Sequence, residues 1–143
     1  MKMKNEMAYT KGVAASHIKS FGQYFTKYEV ADFMCSWACG EADTMLDPAV
    51  GNSVFLKYAR KHNSNCRLTG FEIDSEILEY FGNPANANII NEDYLLNNWE
   101  KKYDAIVCNP PYNRFQAVGN RNEILDAIYA HTGVKYSGYT NLY

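Results

Sequence analysis

The sequence has no long apolar run and no leader-like start. None of its hydrophobic stretches approaches the roughly 20 residues that a membrane-spanning helix needs. Residues 1–6 also lack the apolar segment of a signal peptide. We therefore expect no membrane partner and a cytoplasmic location.

Metal-binding patterns are missing as well. The chain has four cysteines and three histidines but no Cys-x-x-Cys pair. Cys35 and Cys39 lie one turn apart on a predicted helix, a spacing that does not suit a zinc knuckle. We interpret the cysteines as reduced residues of a cytosolic core and expect no metal site.

Basic residues are not in excess, because the net charge is −2. A protein that binds nucleic acid by itself usually carries many more Lys and Arg residues, which neutralise phosphates. If this chain acts on DNA, most of the phosphate contacts must come from elsewhere. What the 143 residues do provide is 47% hydrophobic composition, enough for one globular domain with one core.

The most informative stretch of the chain is residues 103–112. Its apolar run, residues 105–108, is bounded by turn residues and predicts a strand that is buried on both faces. Pro110 and Pro111 have no N–H group, so the strand cannot continue through them. Asn109 is therefore predicted at the carboxyl end of a buried strand, where open α/β sheets bind their ligands.

The residues at this strand end suit a planar amino group. The amide oxygen of Asn109 and the carbonyl oxygen of Pro110 are two neighbouring acceptors. Tyr112 adds an aromatic face on which a base can stack. Taken alone, these residues also fit an ordinary strand that is followed by a polar turn.

Apolar runs and helical patterns alternate along the chain. We predict strands at 44–47, 67–72, 87–90 and 104–108, with helices between them and a last helix from Asn122 to His131. Such alternation predicts an α/β fold with a parallel sheet and crossover helices. Residues 1–20 are polar, and we interpret them as a mobile arm.

The first helix of the domain is predicted to start at a capping box. Thr26 is the expected N-cap, and Glu29 follows three residues later. The apolar residues of this helix share one face by their spacing, and they are Val30, Phe33, Met34, Trp37 and Ala38.

Acidic residues follow three of the predicted strands. Asp47 opens a tight turn in which Gly51 allows a ligand to approach the backbone, and no Gly-x-Gly-x-x-Gly fingerprint is present to hold a pyrophosphate. Such a turn suits a cationic ligand better, with Asp47 as the acid. Glu72 follows Asp47 by 25 residues, the position of a ribose-binding acid in such folds, although it also fits a solvated surface residue. Asp74 is a predicted helix N-cap, and Asp93 fits either a ligand contact or a cap.

Four ordered segments together resemble a known family. The sequence Asn-Pro-Pro-Tyr after an apolar strand resembles the catalytic motif of amino-group methyltransferases that use S-adenosylmethionine. Residues 21–34 resemble the N-terminal cofactor motif of one subgroup, with Lys27 where the family has Pro. Residues 47–53 resemble Asp-Pro-x-x-Gly-x-Gly, with Ser53 in place of the last Gly. The chain is similar to N6-adenine-specific DNA methyltransferases in which the cofactor motif comes first, the type IIG or Eco57I-like restriction-modification enzymes.

The resemblance implies a Rossmann-like methyltransferase fold with a truncated parallel sheet, in the strand order third, second, first, fourth. It implies a methyltransferase domain over residues 21–143 that is incomplete and lacks a target-recognition domain. It also implies S-adenosylmethionine as the cofactor, with Asp93 at the cofactor adenine and Tyr94 and Leu95 beside that ring. The implied cofactor-binding residues are Tyr24, Thr26, Asp47, Pro48, Ala49, Gly51, Glu72, Ile73, Asp93, Tyr94 and Asn109. The implied catalytic residues are Asn109, Pro110, Pro111 and Tyr112.

The implied reaction is direct methyl transfer to the N6 amino group of an adenine that is flipped out of double-stranded DNA. Asn109 and Pro110 would accept the two amino hydrogens, and Tyr112 would stack on the base. Protein-glutamine methyltransferases and some RNA guanine methyltransferases share Asn-Pro-Pro-Tyr and are the alternative enzymes. A cofactor-binding fragment without activity is the alternative from another class.

We expect the 143-residue chain not to methylate DNA by itself. The predicted sheet stops at the strand that carries Asn109, so that strand is an exposed edge unless something covers it. We therefore expect either self-association of the chain or a tail, residues 136–143, that folds over the edge.

Overall fold

The computed structural model describes residues 2–97, 99–112 and 119–137. The helices are α1 (Lys2–Gly12), α2 (Ala15–Ser20), α3 (Tyr28–Ala38), α4 (Val54–His62), α5 (Ser75–Phe81) and α6 (Arg121–Thr132). The strands are β1 (Thr44–Asp47), β2 (Arg67–Phe71), β3 (Asn88–Ile90) and β4 (Ala105–Ile106). A 3₁₀ turn spans Tyr94–Leu96. None of the helices described is long and apolar enough to cross a membrane.

The four strands form one parallel sheet in the order β3-β2-β1-β4. This confirms the four predicted strands and the strand order that the resemblance implied. The register pairs Asp47 with Gly70 and Met45 with Ala105. The carboxyl ends of the strands therefore meet at one edge of the sheet, where the predicted polar residues follow them.

The core lies around β1 and α4. Met45, Leu46 and Leu56 are fully buried, and burying one such side chain stabilises the fold by roughly 1.5–3 kcal/mol. Gly70 is required where β2 passes under the turn after β1, because a Cβ there would lie 2.3 Å from Cγ2 of Val50. The backbone N–H of Val50 also donates to the carbonyl of Phe71 at 3.0 Å. These contacts hold the turn against β2.

The face of α3 differs from the prediction. Ala31 and Cys35 are buried, whereas Phe33 and Trp37 are 71% and 85% exposed and Val30 is exposed too. The predicted apolar face is therefore only partly correct, since Met34 and Ala38 pack against the core whereas the other three residues are exposed. The small side chains at 31 and 35 let α3 pack closely on α4, and on the flank toward α4 the carboxylate of Asp32 accepts hydrogen bonds from that helix.

The predicted capping box is also wrong. The helix begins at Tyr28 with Lys27 as its N-cap, and no side chain caps it. Thr26 instead lines the cavity described below. Thr26 lies one residue before the N-cap, so it does not hold the capping position.

The N-terminal segment is a third correction, since residues 2–20 form α1 and α2 rather than an arm. Tyr9 is fully buried. Its ring packs edge-on or tilted against Phe25, Tyr80 and Phe81 at centroid distances of 5.2–5.9 Å. A single aromatic anchor in a polar segment leaves no periodic pattern, which is why the sequence did not predict these helices.

Strand β4 is not buried on both faces. Ala105 and Val107 are buried, but Ile106 between them is 59% exposed. Successive residues of a strand point to opposite faces, and in the described part of the sheet β4 is an edge whose second face is uncovered. The tail expected over this edge falls mostly in residues 138–143, outside the described residues, so self-association and tail closure remain predictions.

Candidate active site

A cavity of roughly 590 Å³ lies at the carboxyl ends of the four strands. Ligand sites commonly fall within about 300–1,000 Å³. The segment 21–26 forms one wall, and the residues that follow β1, β2, β3 and β4 form the others. Ile124 of α6, which is buried, closes a further side. The carboxyl edge of the sheet is thus the candidate site, as predicted.

The turn after β1 has the backbone conformation that a glycine-rich motif adopts. Gly51 has φ +53° and Ser53 has φ +62°, both in the left-handed region. Ser53 therefore adopts the left-handed conformation at a position where the family motif has Gly. This conformation destabilises the fold by about 1–2 kcal/mol for a residue with a Cβ atom. Its buried hydroxyl donates to the carbonyl of Gly82 at 3.3 Å, which offsets part of that strain.

Asp47 does not face the cavity. Its side chain is fully buried and is not part of the cavity wall, while Pro48 and Ala49 are. One carboxyl oxygen accepts from the N–H of Ala49 at 3.1 Å, and the other, Oδ2, has no hydrogen-bond partner among the residues described. Asp47 thus lies behind the turn that it supports, and its expected role as an acid presented to the ligand stays a prediction.

Burial dominates the electrostatics of Asp47. It raises the pKa of this carboxyl to about 8, with a smaller contribution from the nearby charge of Glu72 and an opposing one from the hydrogen bond of Ala49. The folded chain therefore holds a proton on Asp47 at neutral pH, which the unfolded chain releases near its ordinary pKa of 3.8.

A pH dependence of stability follows. Between about pH 4 and pH 8 the folded chain binds more protons than the unfolded chain, so its stability falls as the pH rises through this window, by about 1 kcal/mol per pH unit. We expect Asp47→Asn, which stays neutral, to reduce that fall. Urea unfolding at pH 5 and pH 8 measures it, with exposed Asp43→Asn as the control. Equal slopes for wild type and Asp47→Asn would contradict this account.

Glu72 follows β2 and bridges two segments. One oxygen accepts from the N–H of Gly51 at 2.8 Å, and the other accepts from the N–H of Asp74 at 2.9 Å. Burial raises the pKa of Glu72, and these two hydrogen bonds oppose the rise. Glu72 lines the cavity, so it is not a solvated surface residue.

Asp93 caps a turn and also lines the cavity. One of its oxygens accepts from the N–H of Leu95 at 2.9 Å and caps the 3₁₀ turn. The residue also lines the cavity, together with Tyr94 and Leu95. The Tyr94 ring is held edge-on by Phe71 at 5.2 Å. A cap uses only one carboxylate oxygen, so the other can serve a ligand.

The segment after β4 is tied to the segment 21–26. The Nδ2 group of Asn109 donates to the backbone carbonyl of Tyr24 at 2.8 Å. Because a carbonyl can only accept, this bond assigns the nitrogen of the amide and places its oxygen at the opposite end. The N–H of Tyr112 donates to the carbonyl of Gly22 at 3.4 Å. Two backbone contacts thus fix how Asn109 is presented.

Two tyrosines lie at the mouth of the cavity. The rings of Tyr24 and Tyr112 are 5.5 Å apart and nearly perpendicular, at 88°. They are 69% and 53% exposed. Together they offer a face and an edge to a planar group that enters beside Asn109.

Most of the predicted site residues converge on this cavity. Those in its wall are Tyr24, Thr26, Pro48, Ala49, Gly51, Glu72, Ile73, Asp93, Tyr94, Asn109, Pro110 and Pro111. Of the predicted set, Asp47 lies behind the wall and Tyr112 stands beside it. The sequence did not predict Gln23 and Asn52 in the wall. It also did not predict that the carbonyl of Tyr24 orients Asn109, because a backbone group has no sequence signal. Ile124 belongs to the helix predicted from Asn122 to His131, but its place at the cavity was not predicted.

The sequence of the chain is similar to those of known methyltransferases. The family model described as N-6 DNA Methylase matches residues 9–141. The Type II methyltransferase M.AccI of Acinetobacter calcoaceticus is 38% identical over 96% of this chain and 26% of its own length. M.HincII of Haemophilus influenzae is 30% identical over 68% of this chain and 18% of its own length. The chain therefore spans about a quarter or less of these two relatives.

Solved structures show the same fold. The plantazolicin methyltransferase BpumL, in complex with a monoazolic desmethylPZN analog and SAH, matches with a TM-score of 0.50 at 22% identity, over 91% of this chain and 48% of BpumL. This likeness concerns the fold, which is the Rossmann-like fold of S-adenosylmethionine-dependent methyltransferases, as predicted. The match to the family model confirms the family resemblance. The chain belongs to the N-6 DNA methylase family.

Proposed function

We propose that the enzyme to which this chain belongs transfers a methyl group to the N6 amino group of a flipped-out adenine in double-stranded DNA, within a restriction-modification system. The observation that carries the proposal is the amide of Asn109, oriented by the carbonyl of Tyr24 at the edge of the cavity. An oriented acceptor beside a cofactor-sized cavity suits an incoming amino group.

The cavity fits S-adenosylmethionine. A nucleoside needs hydroxyl acceptors and an apolar slot, and Glu72, Asp93, Tyr94 and Ile73 line the same cavity. Each oxygen of Glu72 already accepts one backbone N–H, and a carboxylate oxygen has a second lone pair for a ribose hydroxyl. When bound, the cofactor supplies the electrophilic methyl group of its sulfonium.

The residues of the chain then act on the acceptor. The oxygen of Asn109 and the carbonyl of Pro110 would accept the two hydrogens of the amino group. These hydrogen bonds strengthen as positive charge develops on the nitrogen, so they favour the transition state over the ground state. The amide of Asn109 is not basic, so the amino group attacks with both hydrogens in place and loses one proton to water after the methyl group has been transferred. Stacking on Tyr112 would be worth about 1–3 kcal/mol per base.

The DNA duplex would be held mainly by other parts of the enzyme. The chain has a net charge of −2, which leaves few cations for phosphates. Flipping a base requires a few kcal/mol that DNA contacts must offset. We therefore expect slow transfer by the 143-residue chain alone, compared with a full-length enzyme in which it is joined to a DNA-reading part.

Product analysis tests the proposed function. Full-length enzyme is incubated with tritiated S-adenosylmethionine and, in separate reactions, with duplex DNA, RNA or protein, and the nucleosides or amino acids of each digested substrate are separated by chromatography with mass detection. We expect N6-methyldeoxyadenosine as the labelled product. Label in RNA guanine or in protein glutamine, with none in DNA, would contradict the proposal, and label in cytosine would contradict the adenine assignment.

A further inference from the structure

A polar network joins the N-terminal helices to the acidic wall of the cavity, and Asp74 is its centre. Asp74 is 3% exposed. Its Oδ2 accepts from Nε2 of His17 at 2.8 Å and from Nε2 of Gln23 at 2.5 Å. A carboxylate oxygen accepts, so His17 carries its proton on Nε2. This one oxygen thus ties α2 and the segment 21–26 to the start of α5.

The remaining groups of Asp74 are engaged on the other side. Its Oδ1 accepts from the N–H of Glu76 at 3.0 Å and caps α5. Its own N–H donates to Oε1 of Glu72 at 2.9 Å. Since Glu72 in turn holds Gly51, a displacement of Asp74 would be passed to the carboxylate of Glu72 and to the turn after β1.

Gln23 is fixed at both ends of its amide. Its nitrogen donates to Asp74, and its oxygen accepts from the hydroxyl of Tyr9 at 3.0 Å. Tyr9 lies on α1 and is fully buried. The residue that follows Gln23 is Tyr24, whose carbonyl orients Asn109. The network therefore reaches from α1 to both the cofactor wall and the acceptor wall.

We propose that His17 and Gln23, acting through Asp74, are positioning residues that hold the segment 21–26 and Glu72 in the geometry that binds the cofactor. The inference rests on the proposed cofactor site at Glu72. His17 and Tyr9 lie outside the sequence motifs that resemble the family. The proposed network therefore gives the N-terminal helices a role in cofactor affinity.

The test uses a substitution that removes the hydrogen bonds of one oxygen of Asp74 and keeps that of the other. Asp74→Asn keeps one acceptor, which can cap α5, but its amino group cannot accept from His17 or Gln23. The matched control is Asp32→Asn, because Asp32 is also paired with a histidine, His62, and neither residue lines the cavity. Calorimetry with S-adenosylhomocysteine on the 143-residue chain gives the dissociation constants.

We expect Asp74→Asn to raise the dissociation constant about tenfold and Asp32→Asn to leave it within about twofold. His17→Ala should raise it about fivefold, and His17→Gln, which keeps an N–H donor, should restore much of the affinity. The double variant His17→Ala with Asp74→Asn should bind no more weakly than Asp74→Asn alone, since both break the same contact.

Wild-type affinity in both Asp74→Asn and His17→Ala would overturn the inference, and so would no rescue by His17→Gln. His17 is partly exposed, so its variants decide the matter even if Asp74→Asn fails to fold. Failure of the wild-type chain to bind S-adenosylhomocysteine would instead contradict the proposed cofactor site itself.

Discussion

We expect Asn109→Ala to lower the rate of methyl transfer by roughly 10²–10³-fold, the usual effect of removing one oriented group that stabilises transition-state charge. The affinity for S-adenosylhomocysteine should change little, because the amide oxygen is assigned to the acceptor amine. The rate is measured in single turnovers of the full-length enzyme with tritiated cofactor and duplex DNA, and the affinity by calorimetry.

The matched control is Asn122→Ala, an exposed asparagine on α6. A second variant, Asn109→Asp, keeps the size of the side chain but loses the N–H group that donates to Tyr24, so it should also be slow. Wild-type transfer by Asn109→Ala would refute the catalytic assignment. An accompanying loss of cofactor affinity would instead assign Asn109 to cofactor binding.

The second large effect concerns Glu72. We expect Glu72→Ala to weaken binding of S-adenosylhomocysteine by about 1–3 kcal/mol, which corresponds to roughly 5–150-fold, because a charged hydrogen-bond acceptor is lost. The change also leaves the N–H groups of Gly51 and Asp74 without their acceptor. Calorimetry on the chain measures the difference, and exposed Glu79→Ala on α5 is the control.

A ligand analogue makes the ribose assignment specific. Wild type should bind S-adenosylhomocysteine more tightly than its 2′-deoxy analogue, whereas Glu72→Ala should discriminate much less between the two. If Glu72→Ala weakens both ligands equally and keeps the full discrimination, the ribose role is wrong and Glu72 acts only on the turn.

The sheet and most of the cavity wall could be predicted from local sequence features. Each apolar run stops at a residue that cannot extend it or prefers a turn, as at Pro110 and Pro111. A parallel sheet then places Glu72, Asp93 and Asn109 on one edge without further information. Ser53 could stand for a glycine because its hydroxyl finds a buried partner in the carbonyl of Gly82.

Features that depend on tertiary contacts could not be predicted in this way. The spacing of apolar residues on α3 indicated a buried face, but the small residues Ala31 and Cys35 make the contact and Trp37 remains exposed. The helices of residues 2–20 depend on one buried ring, Tyr9. Likewise, an acid at a strand end can line the cavity, as Glu72 does, or lie behind the turn, as Asp47 does.

The central claim is that the carboxyl ends of the four strands and the segment 21–26 build one cofactor pocket that opens on Asn109. A crystal structure of the chain with S-adenosylhomocysteine tests it most directly. We predict the ribose hydroxyls within hydrogen-bond distance of Glu72, the adenine beside Asp93 and Tyr94, and the sulfur on the side of Asn109. Ligand bound at another surface, such as the cavity beside Arg60 and Lys101 at the opposite ends of the strands, would contradict the account.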